Sequence, residues 1–319
     1  MTPLRIIFMG TADLSCASLE TLARHPHFNV LAVVTQPDKP KGRDLKLLPT
    51  PVKVVAQKLQ LPVLQPLKAR DPEFINQIRA LQPDLMVVVA YGQILPAALL
   101  EVPPHGCLNV HTSLLPKYRG AAPIQWAIAD GNAETGVTIM RMDAGLDTGP
   151  ILTTRITPIL PTDDSQVLHD RLAQLGAELL VETIPGYVSG AILPQPQPAV
   201  GMTYAAKIKK EDGQIRWEQP ATLISSRLRA FTPWPGAFTH LPAEPKPLLV
   251  KVWKAEPLET KPPSAAPGQI ISADKTGITV ACGTGSLRIL ELQREGGKRL
   301  APGPFLAGCP LQSGQHFLG

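Results

Sequence analysis

The stretch PDLMVVVAYG, residues 83–92, places the tightest limit on what this chain can fold into. Its apolar run has no polar residue at alternate positions, so a strand made from it must be covered on both faces. That is the condition of a strand at the centre of a parallel sheet. Such a sheet needs further strands and crossover helices, and the first two hundred residues supply them. LRIIFMG (4–10) is a second apolar run, followed by a helical pattern from Asp13 to about His25. NVLAVVTQ (29–36) and LPVLQ (61–65) read as strands, and PVKVVAQKLQ (51–60) as a helix with Pro51 near its first turn. DPEFINQIRALQ (71–82) opens a helix on Asp-Pro. CLNVH (107–111) and TGVTIMRMD (135–143) continue the strands, with helices from about Ala121 to Ala129 and over 163–190. This alternation predicts an α/β fold with a doubly wound, mostly parallel, Rossmann-like sheet.

The pattern changes after residue 190. AILPQPQPAVGMTY (191–204) is rich in proline and reads as an extended linker. Beyond a helical stretch near 220–230, PLLVKVWKAE, GQIISAD, GITVACG and SLRILELQ are short apolar segments separated by Gly and Pro clusters. Their spacing predicts a smaller β-barrel, OB-like in type. The expected organisation is a catalytic domain over 1–190, a linker over 191–203 and a C-terminal β-barrel domain over 204–319.

Charge divides along the same line. Residues 1–203 hold 16 Lys+Arg against 17 Asp+Glu, whereas residues 204–319 hold 15 against 9. A basic excess confined to one part suits either a polyanion partner or an ordinary solvated face. The four cysteines (Cys16, Cys107, Cys282, Cys309) are scattered without a C-x-x-C pair, which argues against a zinc site or a disulfide framework. No signal-peptide pattern and no apolar run of about 18 residues is present, so the expectation is a cytoplasmic chain without a membrane partner.

Chemistry enters at CLNVHTSLLPKYRG (107–120). Residues i and i+2 of a strand point to the same side. Asn109 and His111 therefore project together near the carboxyl end of their strand, where open α/β sheets place their ligands. The first loop, MGTADLSCASL, offers one Gly where a dinucleotide fingerprint needs three, so the pyrophosphate turn of a dinucleotide site is missing. RMDAGLDTGPIL (141–152) interleaves Asp143 and Asp147 with Gly145 and Gly149. Asp143 suits turn capping; Asp147 suits either that or a partner for His111, whose charged form a carboxylate would favour. An amide, an imidazolium and a carboxylate make a workable set for acyl transfer.

NVHTSLLPKYRGAAPIQWAI together with AETGVTIMRMDAGLDTG resembles the core of the 10-formyltetrahydrofolate-dependent formyltransferases. TQPDKPKGRDLKLLPTPVK and LRAFTPWPGAF are similar to the methionyl-tRNA formyltransferase family within that group. The resemblance runs over nearly the whole chain. It implies transfer of a formyl group from 10-formyltetrahydrofolate to the α-amino group of initiator methionyl-tRNA, for translation initiation, by a monomer that requires no metal. Carried over by motif, the catalytic residues are Asn109, His111 and Asp147. The folate contacts fall on Ser113, Leu114, Leu115 and Pro116, with Val89, Ala90 and Tyr91 nearby. Lys39, Lys41, Arg43 and Lys46 match the loop that reaches the tRNA acceptor end. Ala12, Thr112 and Asp44 depart from the family's usual Pro, Gly or Ala, and Gly. Which group accepts the amine proton stays open. A formyltransferase for a sugar nucleotide or purine precursor would leave the basic C-terminal part without a reason, and a non-catalytic RNA-binding protein would leave the trio without one.

Overall fold

The computed structural model describes residues 2–41, 46–262 and 264–319. Two compact units emerge. The first comprises Met1–Pro123, Glu134–Pro158 and His169–Ala205; the second comprises Ile124–Ala133, Ile159–Leu168 and Ala206–Gly319.

The first unit is built on a seven-stranded sheet. Its spatial order is Ile151–Pro158, Glu134–Arg141, Cys107–His111, Leu85–Val89, Leu4–Gly10, Phe28–Val34 and Val63–Leu64. All neighbours from Cys107–His111 to Val63–Leu64 run parallel, and Glu134–Arg141 is antiparallel to both of its neighbours. The mostly parallel sheet expected from the sequence is therefore present. Leu85–Val89 is buried at every position, as a strand covered on both faces requires. Its side chains Met86 and Val88 share a core with Ile7, Met9 and the helix residues Phe74, Ile75 and Ile78. The helices Ser15–Arg24 and Pro51–Lys58 pack on each other; the second is capped by Thr50, whose side chain accepts the Lys53 N–H at 3.1 Å.

The sheet turns back on itself beside Leu4–Gly10. Chain order runs outward through Phe28–Val34 to Val63–Leu64, then returns to the other side of Leu4–Gly10 with Leu85–Val89. That reversal opens a crevice between the carboxyl ends of the two strands, the position where doubly wound sheets bind ligands. Behind Cys107–His111 lies the helix Ser165–Val188. It approaches so closely at Gly176 that a Cβ there would come within 2.7 Å of Val110 Cγ1.

The second unit is a five-stranded antiparallel sheet in the order Ala237–Leu241, Leu248–Leu258, Ser286–Arg294, Gly277–Ala281, Ile270–Asp274. Trp217, Ile224, Val250, Ile278, Leu287 and Phe305 belong to its core. The closed barrel expected from the strand spacing is not formed: among the described residues the edge strands Ala237–Leu241 and Ile270–Asp274 do not pair with each other. Residues 314–318 bridge both edges instead. Leu318 exchanges hydrogen bonds with His240 at 2.8 and 3.4 Å, while Ile270 N–H donates to Gln315 O at 2.7 Å and Phe317 N–H to Gly268 O at 2.9 Å. Strand spacing alone could not distinguish a sixth ladder from a segment attached by single bridges.

Gly136 couples the sheet to the site. A Cβ there would lie 2.2 Å from Arg155 O and 2.6 Å from Leu114 Cδ2. Gly136→Ala should cost about 1–3 kcal/mol, the usual range for an overpacked position, read as a lower urea midpoint with unchanged slope.

Candidate active site

Asn109 and His111 extend from the same side of Cys107–His111, opposite Met140 and Thr138 of the neighbouring strand. His111 is 5% exposed. Its Nε2–H donates to the Tyr118 carbonyl at 2.9 Å. A carbonyl can only accept, so this bond fixes which ring nitrogen always carries a proton. Nδ1 is left facing Asp147, with Oδ2 at 3.8 Å. That distance is an ion-pair distance and too long for a hydrogen bond. The ring is therefore hydrogen-bonded to a main-chain carbonyl, and the carboxylate meets it only at ion-pair distance.

The Asp147 carboxylate is held from two sides, on a backbone in the left-handed region. Oδ2 accepts the Gly120 N–H at 2.8 Å, Oδ1 accepts Asn109 Nδ2 at 3.3 Å, and the backbone has φ +51°. The Asn109 contact fixes its amide orientation, because only the nitrogen can donate to a carboxylate, and it leaves the second N–H of that nitrogen available. The close turn beneath Asp147 requires glycine: a Cβ on Gly149 would stand 1.9 Å from Arg141 O. Asp143 serves the turn alone, its Oδ1 accepting from Gly145 N at 3.0 Å and Thr148 Oγ1 at 2.7 Å.

The expected folate residues divide between exposed and buried positions. Ser113 is fully buried, its Oγ donating to Lys117 O at 2.6 Å. Thr138 Oγ1 ties down the same loop, donating to Ser113 O at 2.7 Å and accepting Leu115 N–H at 3.2 Å. Leu115 and Val89 are buried, whereas Leu114 and Pro116 are half-buried and Ala90 is exposed with φ +43°. Tyr91 is 2% exposed and its ring lies in the core with Ile7 and Met9. Burial pushes its hydroxyl pKa up to about 12. Tyr91 acts at the crevice through its carbonyl, which accepts Thr11 Oγ1 at 2.8 Å and Gln36 Nε2 at 2.9 Å. Accessible apolar side chains and strand-end backbone at a sheet crevice suit a flat, partly apolar heterocycle such as a folate.

The basic segment begins beside that crevice. Lys39–Lys41 and Lys46–Leu48 form a two-stranded hairpin, and Arg43 lies outside the described residues together with Gly42 and Asp44. Lys39 is exposed, its Nζ donating to Gln36 Oε1 at 2.7 Å. The base of the hairpin is pinned by Asp38, which pairs with Lys53 at 2.7 Å and accepts from Gln65 at 2.7 Å. Those two hydrogen bonds, that of Lys53 first, hold the Asp38 carboxyl below its usual range.

Sequence reasoning missed the segment read as a linker. Gln197 donates to the carbonyls of Asp147 and Gly149 at 2.7 and 2.8 Å and accepts from Arg119 at 2.6 and 3.0 Å. Thr203 receives the N–H groups of Tyr118 and Arg119 at 2.9 Å each. The available signal was the run PQPQP (194–198), which sets Gln195 and Gln197 each between two prolines, where a solvated spacer needs no particular side chain. An open cleft of about 470 Å³ adjoins these residues, lined by Arg119, Thr148, Gln197 and Met202 among others. Among the described residues, no group of three or more His, Cys, Asp or Glu could hold a metal ion. No helix of the described residues is long and apolar enough to cross a membrane.

An amide, an imidazole and a carboxylate meet at a strand end, a set that suits acyl transfer. The chain belongs to the formyl transferase family, which residues 4–184 match, and residues 207–310 match that family's C-terminal domain. It is 54% identical to the methionyl-tRNA formyltransferase of Citrifermentans bemidjiense, over 98% of this chain and 96% of that one. It is 50% identical to the methionyl-tRNA formyltransferase of Myxococcus xanthus, over 98% of this chain and 97% of that one. Among solved structures it is similar in fold to an N-formyltransferase from Helicobacter canadensis in complex with folinic acid and dTDP-3-aminofucose. There the TM-score is 0.65 at 19% identity, over 91% of this chain and 98% of that one. HypX from Aquifex aeolicus in complex with tetrahydrofolic acid gives a TM-score of 0.58 at 17% identity, over 96% of this chain and 47% of that one.

Thr138→Val keeps the shape but strips partners from buried Ser113 O and Leu115 N–H. Each orphaned group should cost about 1–3 kcal/mol, and folate affinity should fall with stability because the 113–116 loop loosens. Thermal unfolding with and without a folate ligand checks both.

Proposed function

We propose that this chain transfers the formyl group of 10-formyltetrahydrofolate to the α-amino group of initiator methionyl-tRNA, giving N-formylmethionyl-tRNA. The observation that carries this reading is the convergence of Asn109, His111 and Asp147 at one strand end, in a chain whose relatives at 47–54% identity are named methionyl-tRNA formyltransferase.

The folate supplies the formyl group when bound, against Ala90, Leu114, Pro116 and the main chain of the crevice. Asn109 presents its second amide N–H, and protonated His111 presents Nδ1–H, to the negative charge that develops on the formyl oxygen. Asp147, held by Gly120 and Asn109, lies beside His111 Nδ1. The same carboxylate helps remove the amine proton, directly or through water. The site needs no second copy, since all three residues come from one chain, and the reading carries with it a monomer in the cytoplasm, where charged tRNA is made.

For tRNA, the reading assigns positioning of the acceptor end to Lys39, Lys41, Arg43 and Lys46 and general phosphate attraction to the basic 204–319 part. Residues 1–190 are the catalytic part, and 191–203 both join the two and line the site.

Formyl transfer to charged initiator tRNA is the decisive assay. His111→Ala and Asn109→Ala should each lower the single-turnover rate by roughly 10²–10³ with unfolding unchanged; parental rates would remove them from the reaction. Arg43→Ala should lower formylation more than it weakens bulk tRNA binding. Affinity for tRNA should fall steeply as salt rises; a flat salt dependence would return the basic excess to a solvated face.

A further inference from the structure

We propose that Gln197 is a positioning residue for the reaction, clamping the Asp147 loop through two main-chain carbonyls while Arg119 fixes its amide. This rests on the catalytic role given to Asp147 above.

The orientation of the Gln197 amide follows from its partners. Arg119 Nε and Nη2 can only donate, so the atom they meet at 3.0 and 2.6 Å is Oε1. The carbonyls of Asp147 and Gly149 can only accept, so the atom they meet at 2.7 and 2.8 Å is Nε2. Both ends of the amide are used, and no flipped arrangement satisfies them. The two carbonyls flank Thr148, in the turn where Asp147 has φ +51° and Gly149 leaves no room for a Cβ. A non-glycine residue in the left-handed region carries a cost and persists only where its surroundings enforce it. Gln197 supplies that enforcement from outside the loop.

The backbone that carries Gln197 is itself anchored. Gln195 exchanges two hydrogen bonds with Ile151, each 2.8 Å. Downstream, Thr203 O accepts the Arg119 N–H at 2.9 Å, and Tyr204–Ala205 pairs in parallel with Arg119–Gly120. Pro196 and Pro198 restrict the backbone on either side. Gly120, positioned by the same pairing, donates to Asp147 Oδ2 at 2.8 Å. One segment thus holds the carboxylate by its main chain and also holds the strand that donates to it.

The test is formyl transfer by the full chain at saturating folate, with kcat and KM for methionyl-tRNA measured separately. Gln197→Ala should lower kcat by roughly 10²-fold, the scale of a displaced catalytic group, with KM little changed. Gln197→Glu, nearly isosteric, should lose as much, because a carboxylate would face two carbonyl oxygens. Gln197→Met keeps the volume and carries the test should the alanine variant fail to fold. On an Asp147→Ala background, Gln197→Ala should add almost nothing, since a clamp has no effect without the group it holds. Parental kcat for the Gln197 variants beside a slow Asp147→Ala enzyme overturns the clamp alone, as does a full multiplicative loss in the double variant. Parental kcat for Asp147→Ala overturns the reading of the site and the clamp with it.

Discussion

The carboxylate of Asp147 is the contact on which the rest of the site depends. It meets the main-chain N–H of Gly120, the side-chain amide of Asn109 and the imidazole of His111. Asn109 and His111 come from one strand and Gly120 from another, and the carboxylate is the group all three share. Hydrogen bonds to an ionised acceptor are stronger than neutral ones, so a single negative group can organise several donors that would otherwise turn to water. The cost is a loop bent into a backbone conformation that an ordinary residue avoids. Glycine at 149 and the neighbouring segment around 195–205 make that bend sustainable.

The sheet beneath was legible because its signal is local. A strand buried on both faces must be apolar throughout, and Leu85–Val89 could be read as central without any knowledge of its neighbours. The pairing of Asn109 with His111 was legible for a similar reason, since a two-residue period is a property of the strand itself. Asp147 was legible as a candidate because glycines around an acid mark a sharp turn. Resemblance to the formyltransferases then narrowed what that turn was for.

What escaped was everything decided by distant backbone. Nothing in the local pattern says that Tyr118 O, seven residues on, orients the His111 ring. Tyr91 is placed near the folate contacts by motif, and only the packing with Ile7 and Met9 shows that its ring turns inward and leaves its carbonyl at the crevice. Proline-rich composition reads as a spacer because proline forgoes a donor, yet the same stiffness lets residues 195–205 act as a fixed rail along the site. In the second unit the strand pattern was visible but the way its edges are finished was not, because single bridges leave no periodic trace.

Those single bridges bear on how the second unit is made. Exposed sheet edges offer unpaired N–H and C=O groups to any passing strand. Here residues 314–318 occupy part of both edges, Leu318 bridging to His240 and Gln315 accepting from Ile270. Loss of that one short segment would bare two edges at once and open a route to association between copies of the chain.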